Sequence, residues 1–135
     1  MNYNARIQRI QQDLKHPVLI SNLPNIRYLT GFTGSNAYLL IDRYRATFVT
    51  DGRYGEVAAH LTDELDSVDL EVYRQGPVLD ALTPLFSDLE RLGVEAADAS
   101  WDFILDLRRN VGAELVPVKA LVEEHRRVKD SEEIA

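Results

Sequence analysis

Residues Asn25–Tyr54, NIRYLTGFTGSNAYLLIDRYRATFVTDGRY, decide the fold of this chain. A turn-rich loop holding Gly31 and Gly34 runs into the apolar stretch Ala37–Ile41. Asp42 to Arg45 make a turn, Ala46–Thr50 forms the antiparallel partner, and Asp51-Gly52 ends it. The continuous apolar run predicts a central strand covered on both faces. Gly31 suits the left-handed position after a helix end. Asp51 is placed to cap a following helix whose inner face would hold Tyr54, Val57, Ala58 and Leu61.

Working outward, Tyr3, Ile7, Ile10 and Leu14 share one face of a helix over residues 3–15, which Pro17 stops. Val18–Ile20 reads as a short buried strand, and Pro24 opens a short helix at its first position, after Asn22 or Leu23. Val68–Tyr73 alternates, with Val68, Leu70 and Val72 facing one way. Residues 77–92 read as helical, with Val78, Leu82, Leu85, Phe86 and Leu89 inward. Pro84 either kinks that helix or opens a second one capped by Thr83, and Gly93 closes it. Val94-Glu95 starts another strand. Ser100 caps a helix carrying Phe103, Ile104 and Leu107. Leu115-Val116 is a last strand bounded by Pro117, and a charged helix follows from about Lys119 to Arg127. After the hairpin, strands and helices alternate, which predicts an α/β domain with a mixed β-sheet flanked by helices.

The chain has 135 residues, the size of one domain, and its apolar fraction of 45% is that of a globular protein. No apolar run approaches the roughly 20 residues of a membrane helix, so no membrane partner is expected. The N-terminus carries no apolar signal region and reads as a cytoplasmic start. Cysteine is absent, which removes disulfides, thiolate metal sites and cysteine nucleophiles. With 15 basic and 22 acidic residues the formal charge is −7, the wrong sign for neutralising phosphates, so nucleic acid is not an expected partner.

Catalytic patterns are sparse. His16, His60 and His125 show no ligand spacing on one element and read as exposed or helix-terminal. Asp42 and Asp51 flank one strand, but at ~3.4 Å per residue they stand too far apart for a shared site. They read as a turn residue and a helix cap. Ser35 has no GxSxG elbow around it. Gly31-Phe32-Thr33-Gly34 lacks the basic surround of an RNA clamp, and Ser35 stands where a phosphate loop needs lysine. Tyr28, Tyr38, Tyr44, Tyr54 and Trp101 are core by expectation. Phe32 has two readings, one packed beneath its own loop and one projecting to cover a partner or ligand. Arg53 reads as a surface charge, and Glu123–Asp130 as a solvated, salt-bridged helical face.

Two strings carry a resemblance: Asn25–Ser35 followed by the apolar strand, and Thr50-Asp51-Gly52-Arg53-Tyr54. They resemble the N-terminal domain of the creatinase/prolidase family, most closely that of Xaa-Pro dipeptidases and Xaa-Pro aminopeptidases. Leu92–Glu95 is similar to the family's short strand. Arg127–Asp130 with Glu132–Ile134 resembles its junction into a catalytic domain. The resemblance implies a ribonuclease H-like α/β fold over residues 1–127 and a junction over residues 128–135. It implies two divalent metal ions (Mn, Co or Zn) on Asp, Asp, His, Glu and Glu ligands in a downstream catalytic domain, with no cofactor in this chain. The implied partners are that domain, a second subunit in a homodimer, and proline-containing peptides cleaved before proline. The loop Gly31–Ser35 would stand nearest the active-site cleft, with Phe32, Thr33, Ser35 and Arg53 as lining residues.

A helix start at Asp130–Ile134, with an acid-rich first turn and no helix behind it, predicts a sequence cut at a domain boundary. The alternative is a stand-alone binding or dimerisation module with the same fold and no enzyme activity. A ribonuclease H-like nuclease fits poorly with the acidic charge and the separated carboxylates.

Overall fold

A computed structural model describes residues 1–128. Six strands form one mixed sheet in the order β4-β3-β2-β1-β5-β6. The strands are β1 (Val18–Ile20), β2 (Ala37–Ile41), β3 (Ala46–Asp51), β4 (Val68–Tyr73), β5 (Arg91–Glu95) and β6 (Glu114–Val118). The helices are α1 (Tyr3–Asp13), α2 (Leu23–Thr30), α3 (Gly55–Asp63), α4 (Val78–Leu82), α5 (Trp101–Asn110) and α6 (Leu121–Arg126). Short 3-10 turns at Gly52–Tyr54 and Thr83–Phe86 lead into α3 and out of α4.

The hairpin predicted from the central stretch is present. β2 pairs antiparallel with β3 from Ala37↔Thr50 to Ile41↔Ala46, and on its other side antiparallel with β1. The remaining pairs are parallel, joined by helical crossovers. As a result the C-terminal ends of β1, β3, β4, β5 and β6 and the start of β2 lie along one edge of the sheet.

Strand alternation builds two cores. Val18, Ile20, Leu39, Ile41 and Phe48 pack against α1, α2, α3 and α6 on one face. Leu19, Val49, Leu92 and Val94 pack against α4, the 3-10 turn after it and α5 on the other. β2 serves both, with Ala37, Leu39 and Ile41 buried and Tyr38 and Leu40 half-buried. Tyr38 stacks on Phe103, with ring centroids 5.9 Å apart.

Several expectations are corrected. The helical region does not run to residue 92, because Arg91–Glu95 is a strand and Gly93 lies inside it rather than closing a helix. A buried parallel strand is a short apolar run, and periodicity alone does not separate it from helix. A Cβ at Gly93 would stand 2.8 Å from both Val18 and Val118 side chains, so glycine lets the flanking strands close. Pro84 sits in the first positions of a 3-10 turn, and the Thr83 hydroxyl donates to Leu79 O instead of capping it. Pro117 lies within β6, which is tolerable on an edge strand. Val57 is exposed and Thr62 turns inward in its place. Trp101 and Tyr44 are exposed rather than core. The stretch predicted to be a solvated face also binds inward, through Glu123, His125 and Arg126. The helix start expected at Asp130–Ile134 lies outside the described residues.

Candidate functional site

The loop between α2 and β2 is held at both ends, and the sequence shows how. Asn22 caps α2 by accepting from Asn25 N, and Gly31 ends it at φ 82°, a left-handed conformation that glycine adopts without steric cost. A Cβ at Gly31 would stand 2.9 Å from the Tyr3 ring, so glycine also serves close approach there. The Thr30 hydroxyl donates to Ile26 O and accepts from Phe32 N at 3.2 Å. Phe32 is 2% exposed. Its ring lies edge-on to Phe48 and Tyr54, with centroids 5.1 and 5.2 Å away. Of its two readings, packing beneath the loop is the one observed.

The far end is pinned by polar bonds. Ser35 N donates to the Tyr54 hydroxyl, and Ser35 Oγ lies 2.7 Å from the same oxygen. Those bonds hold the Tyr54 hydroxyl below the usual tyrosine range. The Asn36 side chain donates to Asp51 Oδ2 at 2.8 Å and to the Tyr73 hydroxyl at 2.6 Å, and the Asn36 backbone carbonyl accepts from Thr50 Oγ1. Asp51 also accepts from Arg53 N, Nε and Nη2. Hydrogen bonds from Arg53 and Asn36 hold its carboxyl well below the usual carboxylate range, and Arg53 is raised in turn.

The four residues expected to line a cleft therefore separate. Thr33 and Ser35 are exposed on the loop. Arg53 is exposed, its guanidinium 5.1 Å from the centre of the Tyr54 ring. Phe32 anchors them from below. Residue-by-residue reading passed over Asn36, Tyr54 and Tyr73 as loop supports. The Asp-Gly turn brought Asp51 to notice, but nothing local in the sequence marks its partner Asn36.

A second polar junction lies at the other end of α2. Glu95 Oε1 accepts from Ser21 N and Asn22 N, and Oε2 accepts from the Asn25 side chain at 2.7 Å. The same Asn25 amide donates to Glu123 Oε1 at 2.8 Å, and its carbonyl accepts from Arg126. Burial, reinforced by Glu123, raises the Glu95 carboxyl above the ordinary range despite these donors.

A groove of about 610 Å³ runs from the loop along α2 to α6, touching Thr33, Gly34, Tyr28, Arg27 and Arg126. Among the described residues no group of three or more His, Cys, Asp or Glu is placed to hold a metal ion. No helix among them is long and apolar enough to cross a membrane.

Comparison with known proteins adds identity to this geometry. Residues 6–128 match the family model described as "Creatinase/Prolidase N-terminal domain". An uncharacterized peptidase of Bacillus subtilis, YqhT, is 36% identical over 121 residues, covering 87% of this chain and 33% of its own length. The Xaa-Pro dipeptidase from Bacillus anthracis superposes with a TM-score of 0.85 at 27% identity, over 98% of this chain and 38% of that one. The N-terminal domain of the cytoplasmic peptidase PepQ from Mycobacterium tuberculosis H37Rv gives 0.76 at 31% identity, over 90% of this chain and 98% of that domain. The chain thus spans about a third of the longer relatives and nearly all of the isolated domain.

Proposed function

This chain belongs to the creatinase/prolidase N-terminal domain family, and from that premise we propose that it is the non-catalytic N-terminal domain of an Xaa-Pro dipeptidase or aminopeptidase. The observation that carries the reading is the coverage: 98% of an isolated N-terminal domain, against 38% of a whole Xaa-Pro dipeptidase. In this reading a downstream domain holds two divalent metal ions, which activate a water to hydrolyse the bond before proline. This domain then has a supporting role, packing against a second subunit and covering the cleft. The junction to the downstream domain falls at residues 128–135.

Within that role, Thr33, Ser35 and Arg53 are the groups offered to the cleft, and Phe32 holds the loop that carries two of them. Arg53 is already bonded to Asp51, so it offers remaining N–H donors rather than an uncompensated charge. Extended peptides are rich in backbone carbonyls, which such donors and hydroxyls complement.

Two measurements test the reading. Titration of residues 1–135 with manganese or zinc, followed by calorimetry, is expected to show no tight stoichiometric site; a tight site overturns the accessory role. Sequencing beyond codon 135 is expected to find about 200 or more further residues, enough for a second domain, carrying the Asp, Asp, His, Glu and Glu ligand set. A stop codon there establishes the stand-alone binding module instead.

A further inference from the structure

We propose that α6 is a pH-responsive clasp, seated firmly on the domain in mild acid and loosened as the pH rises. The clasp works in the 135-residue chain by itself. Under the peptidase reading it precedes the junction and sets how firmly that junction is anchored.

α6 has little holding power of its own. Its six residues are too few for an isolated helix to persist in water. Ala120 precedes it at φ 59°, a left-handed conformation unfavourable for alanine, and no side chain caps its first turn. Val122 is the one fully buried side chain it contributes. The rest of its hold is polar, and two of the contacts titrate. His125 Nε2 lies 2.6 Å from Asp13 Oδ2 on α1, and the Tyr28 hydroxyl on α2 donates to His125 O at 3.3 Å. The Asn25 side-chain nitrogen donates to Glu123 on α6 at 2.8 Å and to Glu95 on β5 at 2.7 Å. An amide nitrogen has two hydrogens, so both are committed. Arg126 donates to the same Asn25 at Oδ1. Glu95, Asp98 and Glu123 together line a small cavity of about 60 Å³. Asp98 is bonded there by the Ser21 and Asn22 side chains, and Glu124 pairs with Arg127.

Both contacts weaken in the same direction. Histidine changes charge between pH 5 and 8. With the proton, the contact to Asp13 is a charge-assisted ion pair; without it, the ring donates a neutral and weaker hydrogen bond. Burial and the neighbouring Glu123 hold the Glu95 carboxyl above the ordinary range. Its contribution is therefore present below about 4.5 and is lost as pH rises through the raised folded value. Ionised Glu95 then faces Glu123 and Asp98 around one cavity, with Arg126 offsetting part of the repulsion. An element with so few apolar anchors opens locally before the sheet does.

The test is native-state hydrogen exchange of the 135-residue chain, followed by NMR between pH 4.5 and 8 and corrected for intrinsic exchange. Protection of the Glu124 amide, bonded to Ala120 O, is expected to fall about fivefold over that range, while amides of β2 and β3 keep theirs. Asp13→Asn removes the charge from the first contact and should shrink the fall to about twofold. Glu95→Gln should remove its acid-side part, and the double variant should be flat. Protection of α6 that is constant with pH overturns the proposal. So does a fall shared equally by β2 and β3, which would be global unfolding, or a fall undiminished in Asp13→Asn and in the double variant.

Discussion

Asn25 and Asn36 bracket the same short stretch and make the same kind of bridge in opposite surroundings. Each uses its side-chain NH2 to join two acceptors: Glu95 and Glu123 for Asn25, Asp51 and Tyr73 for Asn36. Asn25 is fully buried, and Asn36 is half-exposed at the sheet edge. The carboxylates respond in opposite directions. Glu95 is raised by burial even with three donors on it, whereas Asp51 is lowered because the Arg53 guanidinium joins the amide. The same amide donation therefore accompanies opposite proton affinities, because burial outweighs the donors at Glu95 and the Arg53 guanidinium adds to them at Asp51. The buried junction ties α2, β5 and α6 together. The exposed one fixes a loop and leaves its hydroxyls facing outward.

The comparison breaks most readily by removing the two amides in turn. Asn25→Ala strands Glu95 Oε2 and Glu123 Oε1 without their shared donor and removes the acceptor of Arg126. Losing partners for buried groups costs their desolvation, so a loss of roughly 2–3 kcal/mol is expected. Asn36→Ala leaves Asp51 its Arg53 bonds and lets water reach the gap, so about 1 kcal/mol is expected. Urea unfolding, read as a midpoint shift at constant slope, measures both. Equal losses would mean that burial does not distinguish the two junctions.

The pH dependence sharpens the comparison further, with smaller effects. Glu95 binds its proton more tightly in the folded chain than in the unfolded one. Its stabilising contribution is fully present below the ordinary value near 4.5 and is lost as pH rises through the raised folded value. Asp51 is the reverse case, since its contribution is present above the ordinary value near 3.8 and is lost as pH falls below it. Glu95→Gln is thus expected to flatten stability on the neutral side of pH 4.5. Asp51→Asn should flatten it on the acid side of pH 3.8. Unfolding midpoints between pH 3 and 7 test both, and a single slope lost in both variants would contradict opposite shifts.

The exposed junction was partly legible in the sequence and the buried one was not, for physical reasons. The run Ala37–Ile41, the turn at Asp42–Arg45 and the Asp-Gly pair are local signals, and they placed β2 and β3 where the structure has them, while Asp51 caps the 3-10 turn that leads into α3 rather than α3 itself. Gly31 announced a helix end because a left-handed backbone position is a local signal. The partners of Asn25 lie 70 and 98 residues away, and nothing local distinguishes its side chain from a solvated one. The same distance problem hid what α6, itself expected over about Lys119 to Arg127, packs against. Its run of charges reads as a solvated face, yet Val122 is fully buried and His125 bonds Asp13 at 2.6 Å. The family resemblance marked Asn25–Ser35 as diagnostic without saying why. Part of the answer is mechanical: one eight-residue helix carries the α6 clamp at its start and the candidate loop at its end.

The smallest expected effect isolates the electrostatic part of the clamp. Glu123→Gln keeps a carbonyl oxygen where Asn25 donates, so the bridge survives. It removes the negative charge that, after burial, helps to raise Glu95. Loss of an acidic residue from the first turn of α6 offsets this slightly, because an anion there interacts favourably with the helix end. The two terms oppose each other, so a net change within about 0.5 kcal/mol at neutral pH is expected. The informative measurement is the slope of stability against pH above 4.5. Relief of the repulsion brings Glu95 closer to its ordinary value, so the slope should shrink without vanishing. An unchanged slope would assign the whole elevation to burial, and α6 would then contribute cover to the junction rather than charge. A slope abolished as fully as in Glu95→Gln would make Glu123 the dominant cause and reduce burial, which separates Asn25 from Asn36, to a minor one.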